Sequence, residues 1–254
     1  MERVLRGLHW KSLLLYLDDV IVIGNTFEEH CSHLEEVLTR FRAAGLKLKP
    51  SKCHIFQTKV DYLGHVISNE GESTNPDKVS VINDWPVPKN LTELQAFLGT
   101  VGYYRQYVEG FAAKARPLTR LNSKKVKFEW TQNCQEAFEV LKQSLLQAPV
   151  LGYPDPSLNY IIDTDASLDG VGAVLSQIQD GRERVISNFS NSLSGGQKNY
   201  CVTRRELLAV IKAVNHFRPH LYGKSFLFVQ IMHLCCGCVG ELTCLHKSPV
   251  GWRH

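Results

Sequence analysis

The amino-acid sequence predicts an α+β fold in more than one unit, and three observations carry that prediction. Two segments, LLLYLDDVIVIG (13–24) and NYIIDTDAS (159–167), are rich in apolar strand formers. The block from about residue 75 to 150 instead has helix start signals and apolar residues at helical spacing. A proline-rich joint, APVLGYPDPSL (148–158), closes that block before a second strand-rich region begins.

The 254 residues suffice for one large domain or two ordinary ones. With 44% hydrophobic and 21% charged residues, the composition is that of a soluble globular protein. No apolar stretch approaches the length of a membrane span. The N-terminal MERVLRGLHWKSLLLYLDD has basic residues before an apolar run, but it lacks a small-residue cleavage site and an acidic pair interrupts it. An intracellular protein without a membrane partner is therefore expected. The net charge of +4 permits a polyanionic partner without requiring one.

In chain order, the run around Asp18 and Asp19 reads as strands buried on both faces, with the acidic pair at a hairpin tip. Residues 25–45 form a helix: Thr26 and Glu29 are spaced as a capping box, and Leu34, Val37, Leu38 and Phe41 share a face. Gly45 suits the position after its C-cap. Strands follow at LKLK (46–49), CHIF (53–56) and VDYLGHVIS (60–68), the last bent at Gly64. Asn75 and Pro76 start a helix that Pro86 and Pro88 end. Asn90 caps a second helix carrying Leu94, Phe97, Leu98 and Val101, and Thr131 starts a third. Beyond the joint, NYIIDTDAS, GVGAVLSQIQ, RERVISNFSNSL and KSFLFVQ are strands, and TRRELLAVIKAVNHFRPHL is a helix. The chain thus divides into residues 1–74, 75–150, 151–229 and 230–254.

Several groups of residues point to chemistry. Two carboxylates about 4 Å apart repel by roughly 4 kcal/mol at an effective dielectric near 20. A turn tolerates Asp18 and Asp19, but Mg²⁺ on hard oxygen ligands would remove their repulsion. Between Ala112 and Phe128, Lys114, Arg116, Arg120, Lys124, Lys125 and Lys127 occur with no acid among them. They form either a solvated basic loop or a stripe that tracks phosphates. Strand alternation puts Ile161, Asp163 and Asp165 on one face, so spacing leaves both aspartates open. Glu206 shares a helical face with Val210, Ala213 and Phe217, which aims it at the sheet, although Thr203 and Glu206 also have capping-box spacing. Cys31, Cys53, Cys134 and Cys201 are scattered, as in a reducing compartment. The other four cysteines crowd into HLCCGCVGELTCLH, where Cys235, Cys238, Cys244 and His246 make a formal zinc site.

The order YLDD, helix, AGLKLKPSKC, YLGHVIS resembles the second half of a reverse transcriptase palm, of the gypsy-like LTR-retrotransposon type. NYIIDTDASLDGVGAVLSQ and NYCVTRRELLAVIKAVNHFRPHLYGKSF resemble the ribonuclease H domain that follows it in such Pol polyproteins. FLGTVGYYRQYV, AKARPLTRL and FEWTQNCQEAF resemble the segment between them. The resemblance implies a partial palm, a helical thumb or connection segment, and an incomplete ribonuclease H-like mixed sheet with a helix. The implied activities are RNA-directed DNA synthesis and Mg²⁺-dependent cleavage of RNA in RNA–DNA hybrids. RNA template, DNA primer and hybrid are the implied partners. Asp18 and Asp19 would then hold catalytic Mg²⁺, Lys49 and Lys52 would meet the leaving phosphates, and Gly64 would let backbone approach the primer. Solvated lysines and a plain tight turn stay open for the last three. The resemblance selects Asp165 over Asp163 and pairs it with Glu206 as metal-binding carboxylates.

Against the family pattern, an earlier palm strand with a further aspartate is missing, and so is a T-D-H stretch after the fourth strand. The chain alone is therefore expected to be catalytically weak or inactive. After Val229 the text QIMHLCCGCVGELTC departs from the pattern. Reading its possible codons from the last base of the Val229 codon allows Thr-Asp-His-Ala-Ser-Leu-Leu-Trp. Residues 230–254 are accordingly expected to be translated out of frame, which removes most of the case for zinc. The rival reading is a non-enzymatic nucleic-acid-binding remnant or a pseudogene product.

Overall fold

In a computed structural model, which describes residues 1–123 and 126–230, the run around the aspartate pair folds back as an antiparallel hairpin of β1 (Leu13–Tyr16) and β2 (Asp19–Val22). Its register pairs Leu13 with Val22 and Leu15 with Val20, so these four side chains share a face. That face packs on α1 (Phe27–Ala43), where Val37 and Phe41 are buried with Leu5, Leu8 and Leu13. On the other face Leu14 and Ile21 are half-buried and Tyr16 and Asp19 exposed. Burial on both faces, expected from the unbroken apolar run, is therefore not found, because α1 covers one side of the ribbon.

Local signals at the ends of α1 act nearly as expected. The Thr26 hydroxyl accepts from the Glu29 N–H at 3.2 Å, but the Glu29 carboxylate accepts from the Asn25 N–H at 2.7 Å, one residue before the reciprocal capping-box position. Gly45 has φ of +68°, and the Gly45 and Leu46 N–H groups bond back to Arg42 and Phe41, a Schellman ending. LKLK and CHIF are not strands. Leu46 and Leu48 are exposed, and Pro50–Lys52 forms a 3₁₀ turn in which Pro50 has no N–H to offer a ladder. Two alternating apolar residues give no strand without a neighbour to pair with. VDYLGHVIS forms the hairpin of β3 (Lys59–Tyr62) and β4 (His65–Ser68), whose two turn residues, Leu63 and Gly64, both have positive φ. These elements belong to one compact unit, Met1–Asn69; a second begins at Glu70.

In the second unit, Glu72 of β5 (Gly71–Thr74) exchanges two 2.8 Å backbone hydrogen bonds with Leu151. Asn75 caps α2 (Pro76–Asn83) by accepting from the Asp77 and Lys78 N–H groups, and Asn90 caps α3 (Leu91–Tyr103) through the Glu93 N–H. The basic stretch expected as a connection instead contains two short helices, α4 (Phe111–Lys114) and α5 (Arg116–Leu121). With α6 (Gln132–Leu146), capped by Thr131, they enclose a core centred on Leu94, Phe97, Leu118, Phe138 and Leu141.

The four strands expected after the joint all form: β6 (Tyr160–Ala166), β7 (Gly170–Gln179), β8 (Arg182–Ser192) and β9 (Phe226–Gln230). Their order is β8-β7-β6-β9, with β9 parallel to β6 and the other pairs antiparallel. The short α7 (Gly195–Lys198) precedes α8 (Val202–Leu221), which supplies the crossover. The buried stripe of α8 is Arg205, Ala209, Ala213, Phe217 and Leu221, set against Tyr160, Ile162, Ala173 and Leu175. Glu206 and Val210 flank that stripe, so the face expected to meet the sheet is turned by one residue. The helix begins after Cys201, which puts Thr203 inside it and removes the capping-box reading. Among the described residues, no helix is long and apolar enough to cross a membrane. Lys124, Lys125 and residues 231–254, with Cys235, Cys238, Cys244 and His246, lie outside the described residues.

Candidate catalytic carboxylates and nucleic-acid interface

Asp18 sits in the two-residue tip between β1 and β2, and Asp19 opens β2 opposite Tyr16; both are exposed. Leu17, just before them, has φ of +54°, a conformation that branched side chains rarely adopt. The strain sits at the tip that presents the carboxylates. Tyr62 of the second hairpin lies near this tip. Burial raises its phenol pKa first, and the neighbouring Asp19 and Tyr16 raise it further. Sequence reasoning selects Gly64 in that hairpin and misses Tyr62, although both stand in the same YLGH motif. Gly64 has φ of +80° in the turn, as a tight bend requires. Lys49 and Lys52 are exposed around the 3₁₀ turn, and among the described residues no ion pair joins either to the aspartates.

In the second unit, Ile162 and Thr164 of β6 are buried on the side that α8 covers. Asp163 and Asp165 project from the other side of the strand. Asp163 is half-buried, and its carboxyl pKa is raised first by burial and then by the Glu183 carboxylate. Asp165 is exposed near the strand end, opposite Gly172. Ala166, next to exposed Asp165, and Leu208, two residues after half-buried Glu206, pack against the same cluster of Val171, Leu193 and Ala209 at this end of the sheet. The turn beyond β6 is built on Ser167, whose hydroxyl accepts from the Asp169 and Gly170 N–H groups at 3.3 and 3.0 Å. Two buried polar atoms beneath α8, Thr164 Oγ1 and Arg205 Nε, have no hydrogen-bond partner among the described residues.

The basic stripe is built on helices rather than on a loop. Lys114, Arg116 and Arg120 line an open cleft of about 540 Å³ between α5 and the start of α6, shared with Thr131, Asn133 and Glu136. Lys127 is exposed in the stretch that leads to α6. The acid missing from the local sequence arrives from elsewhere: Asp169 forms an ion pair with Arg116 and accepts from Lys198 at 3.0 Å. Carboxylate oxygens suit Mg²⁺. Among the described residues, however, no place gathers three or more His, Cys, Asp or Glu side chains that could hold a metal ion.

Residues 1–67 match the family model described as reverse transcriptase (RNA-dependent DNA polymerase). Residues 130–228 match an RNase H-like domain found in reverse transcriptase. These matches liken the first segment to a reverse transcriptase domain and the second to an RNase H-like domain. The chain is 39% identical over 220 residues to the retrovirus-related Pol polyprotein from transposon 412 of Drosophila melanogaster, which covers 87% of this chain and 18% of the relative. The Pol polyprotein from transposon 297 of the same species is 38% identical, covering 91% and 21%, and the Tf2-3 polyprotein of Schizosaccharomyces pombe is 35% identical, covering 82% and 16%. The chain is thus similar to a stretch of these retrotransposon polyproteins and spans about a fifth of their length. Its fold is shared with the foamy viral protease-reverse transcriptase in complex with dsDNA, at a TM-score of 0.80 and 20% identity over 92% of this chain and 48% of that one. The same viral protein in complex with RNA/DNA hybrid gives 0.78 and 21% over 90% and 31%.

Proposed function

We propose that this chain is a part of a gypsy-like Pol polyprotein that serves two activities. Its first unit serves RNA-directed DNA synthesis, and its four-stranded sheet serves Mg²⁺-dependent cleavage of RNA in RNA–DNA hybrids. The observation that carries the reading is the exposed Asp18–Asp19 pair on a tight hairpin, in a chain whose two matched domains are reverse transcriptase and RNase H-like. In this reading residues 1–74 are palm, 75–150 thumb or connection, 151–229 the ribonuclease H-like part and 230–254 an out-of-frame tail.

Asp18 and Asp19 would hold Mg²⁺ at the primer terminus, and Asp165 and Glu206 would hold it at the scissile phosphate. The bound ion activates a hydroxyl or water and neutralises phosphate charge. The remaining residues position the nucleic acid. Lys49 and Lys52 attract the leaving phosphates, Gly64 admits backbone close to the primer, and the cations from Lys114 to Lys127 neutralise phosphates of template and hybrid. With two assigned carboxylates in each set, weak activity is expected of this chain alone, because misplaced reactants cost orders of magnitude in rate.

The test is a Pol segment extended on both sides of this chain. Asp18→Asn should lower primer extension, and Asp165→Asn or Glu206→Gln should lower cleavage of the RNA strand, each by about 100-fold or more. Undiminished rates in folded variants would remove the assigned roles. The cation-lined cleft also favours a second reading, a remnant that binds nucleic acid without catalysis. That reading predicts salt-sensitive hybrid binding and neither activity in the extended segment.

A further inference from the structure

The cations of the α5–α6 cleft differ from an ordinary surface stripe because an acid from a distant turn already holds one of them. Arg116 and Arg120 stand four residues apart on α5, so their side chains are neighbours of like charge. Burial, and then Arg120, lower the pKa of the Arg116 guanidinium. Lys114 lines the same cleft and donates to the Ser144 hydroxyl at 3.3 Å, while Thr131 and Asn133 add polar groups on the far wall. Glu136 is the acid in the lining. Asp169 satisfies Arg116 from outside that lining, steadied by Lys198. A planar guanidinium binds a phosphate through two parallel hydrogen bonds, and a partly exposed ion pair is weak enough to be exchanged.

We propose that this cleft receives one backbone phosphate of a bound nucleic acid, and that Asp169 competes with that phosphate for Arg116. The proposal rests on the nucleic-acid-binding reading above. A phosphate seated there meets Lys114, Arg116 and Arg120 together, whereas Asp169 reaches Arg116 alone among them. Capture of Arg116 then leaves the Asp169 carboxylate to Lys198 alone, which ties occupancy of the cleft to the β6–β7 turn that follows Asp165.

The experiment titrates the purified chain into a fluorescent RNA–DNA hybrid across a salt series and reads anisotropy. Asp169→Asn should bind about two- to fivefold tighter, the factor expected for removing an exposed competing ion pair. Arg120→Gln should bind more weakly and lower the log–log salt slope by roughly 0.9, the value for one lost phosphate contact. In an Arg116→Gln background, Asp169→Asn should give no gain, since the contested cation is gone. A folded Asp169→Asn chain that binds no tighter, or a gain that survives Arg116→Gln, overturns the competition and leaves hybrid binding standing. Absence of hybrid binding by the unaltered chain overturns the broader reading and this one together. Should Asp169→Asn not fold, the arginine Nε–H signals of the unaltered chain decide. Hybrid must shift those of Arg116 and Arg120, and unshifted signals overturn the proposal.

Discussion

Asp163 and Asp165 stand two residues apart on one side of β6, yet they meet different surroundings. Asp165 faces solvent, whereas Asp163 is half-buried near Glu183, whose carboxylate accepts from the Ser176 hydroxyl at 2.7 Å. Burial and that like charge raise the Asp163 carboxyl pKa. A raised folded-state pKa favours the protonated form in the fold. Its contribution to stability is therefore present below the unfolded carboxylate value and is lost as pH rises through the folded one. At neutral pH an ionised Asp163 works against folding. Asp163→Asn is expected to melt higher than the parent at pH 7, by an amount worth under about 1 kcal/mol because the site is partly solvated. Below about pH 3 the two curves should converge, since the Asp163 carboxyl is then largely protonated in the folded and the unfolded chain alike. Thermal unfolding across a pH series checks this. A lower melting temperature for Asp163→Asn at pH 7 would mean that the carboxylate has a favourable partner in the fold.

Elements whose boundaries depend on neighbouring residues are legible in the sequence, and those that depend on distant ones are not. Asn75, Asn90 and Thr131 each cap the helix expected of them, because a cap needs only the next two or three N–H groups. Asn75→Ala should therefore cost about 1 kcal/mol in urea unfolding. LKLK misleads because alternation marks a strand only where a sheet edge is available. The face of α8 differs by one residue from the expected one because nothing local reveals that Arg205 is buried. Asp169 is invisible as the partner of Arg116 because the two meet only after the sheet and α5 have folded. Gly71 is a sharper case of distant control. It has φ of +138°, and a Cβ there would lie 2.1 Å from the Leu151 carbonyl oxygen, a backbone atom that cannot swing aside. Gly71→Ala must disturb the paired hydrogen bonds between Glu72 and Leu151, at an expected cost above about 1 kcal/mol. Equilibrium urea unfolding of the variant measures it, and an unchanged midpoint would show that the backbone at Leu151 is free to move.

At the scale of the whole molecule, the two candidate carboxylate pairs lie in units of unequal strength. Among the described residues, the unit with Asp18 and Asp19 is held by a cluster of five buried residues around Leu13 and Phe41. The unit with Asp165 and Glu206 holds seventeen in its helical cluster, with Val185 of β8 packed against it. Apolar burial scales with the area removed from water, so the first unit has far less to set against the entropy of ordering its chain. The units are therefore expected to unfold in sequence, the hairpin of β1 and β2 with α1 first. Hydrogen exchange read by mass spectrometry in increasing urea should show amides of 13–43 opening at lower denaturant than those of α3, α6 and β7. Phe138→Ala, which empties the centre of the helical cluster at a cost of about 3–5 kcal/mol, should lower the second transition and leave the first in place. If one cooperative transition carries all amides and Phe138→Ala shifts it whole, the units stabilise each other. The aspartate hairpin would then share the stability of the larger core. If the transitions separate, the hairpin that presents Asp18 and Asp19 depends on its own small core, and polymerase activity should fail at a lower urea concentration than hybrid cleavage in an extended Pol segment.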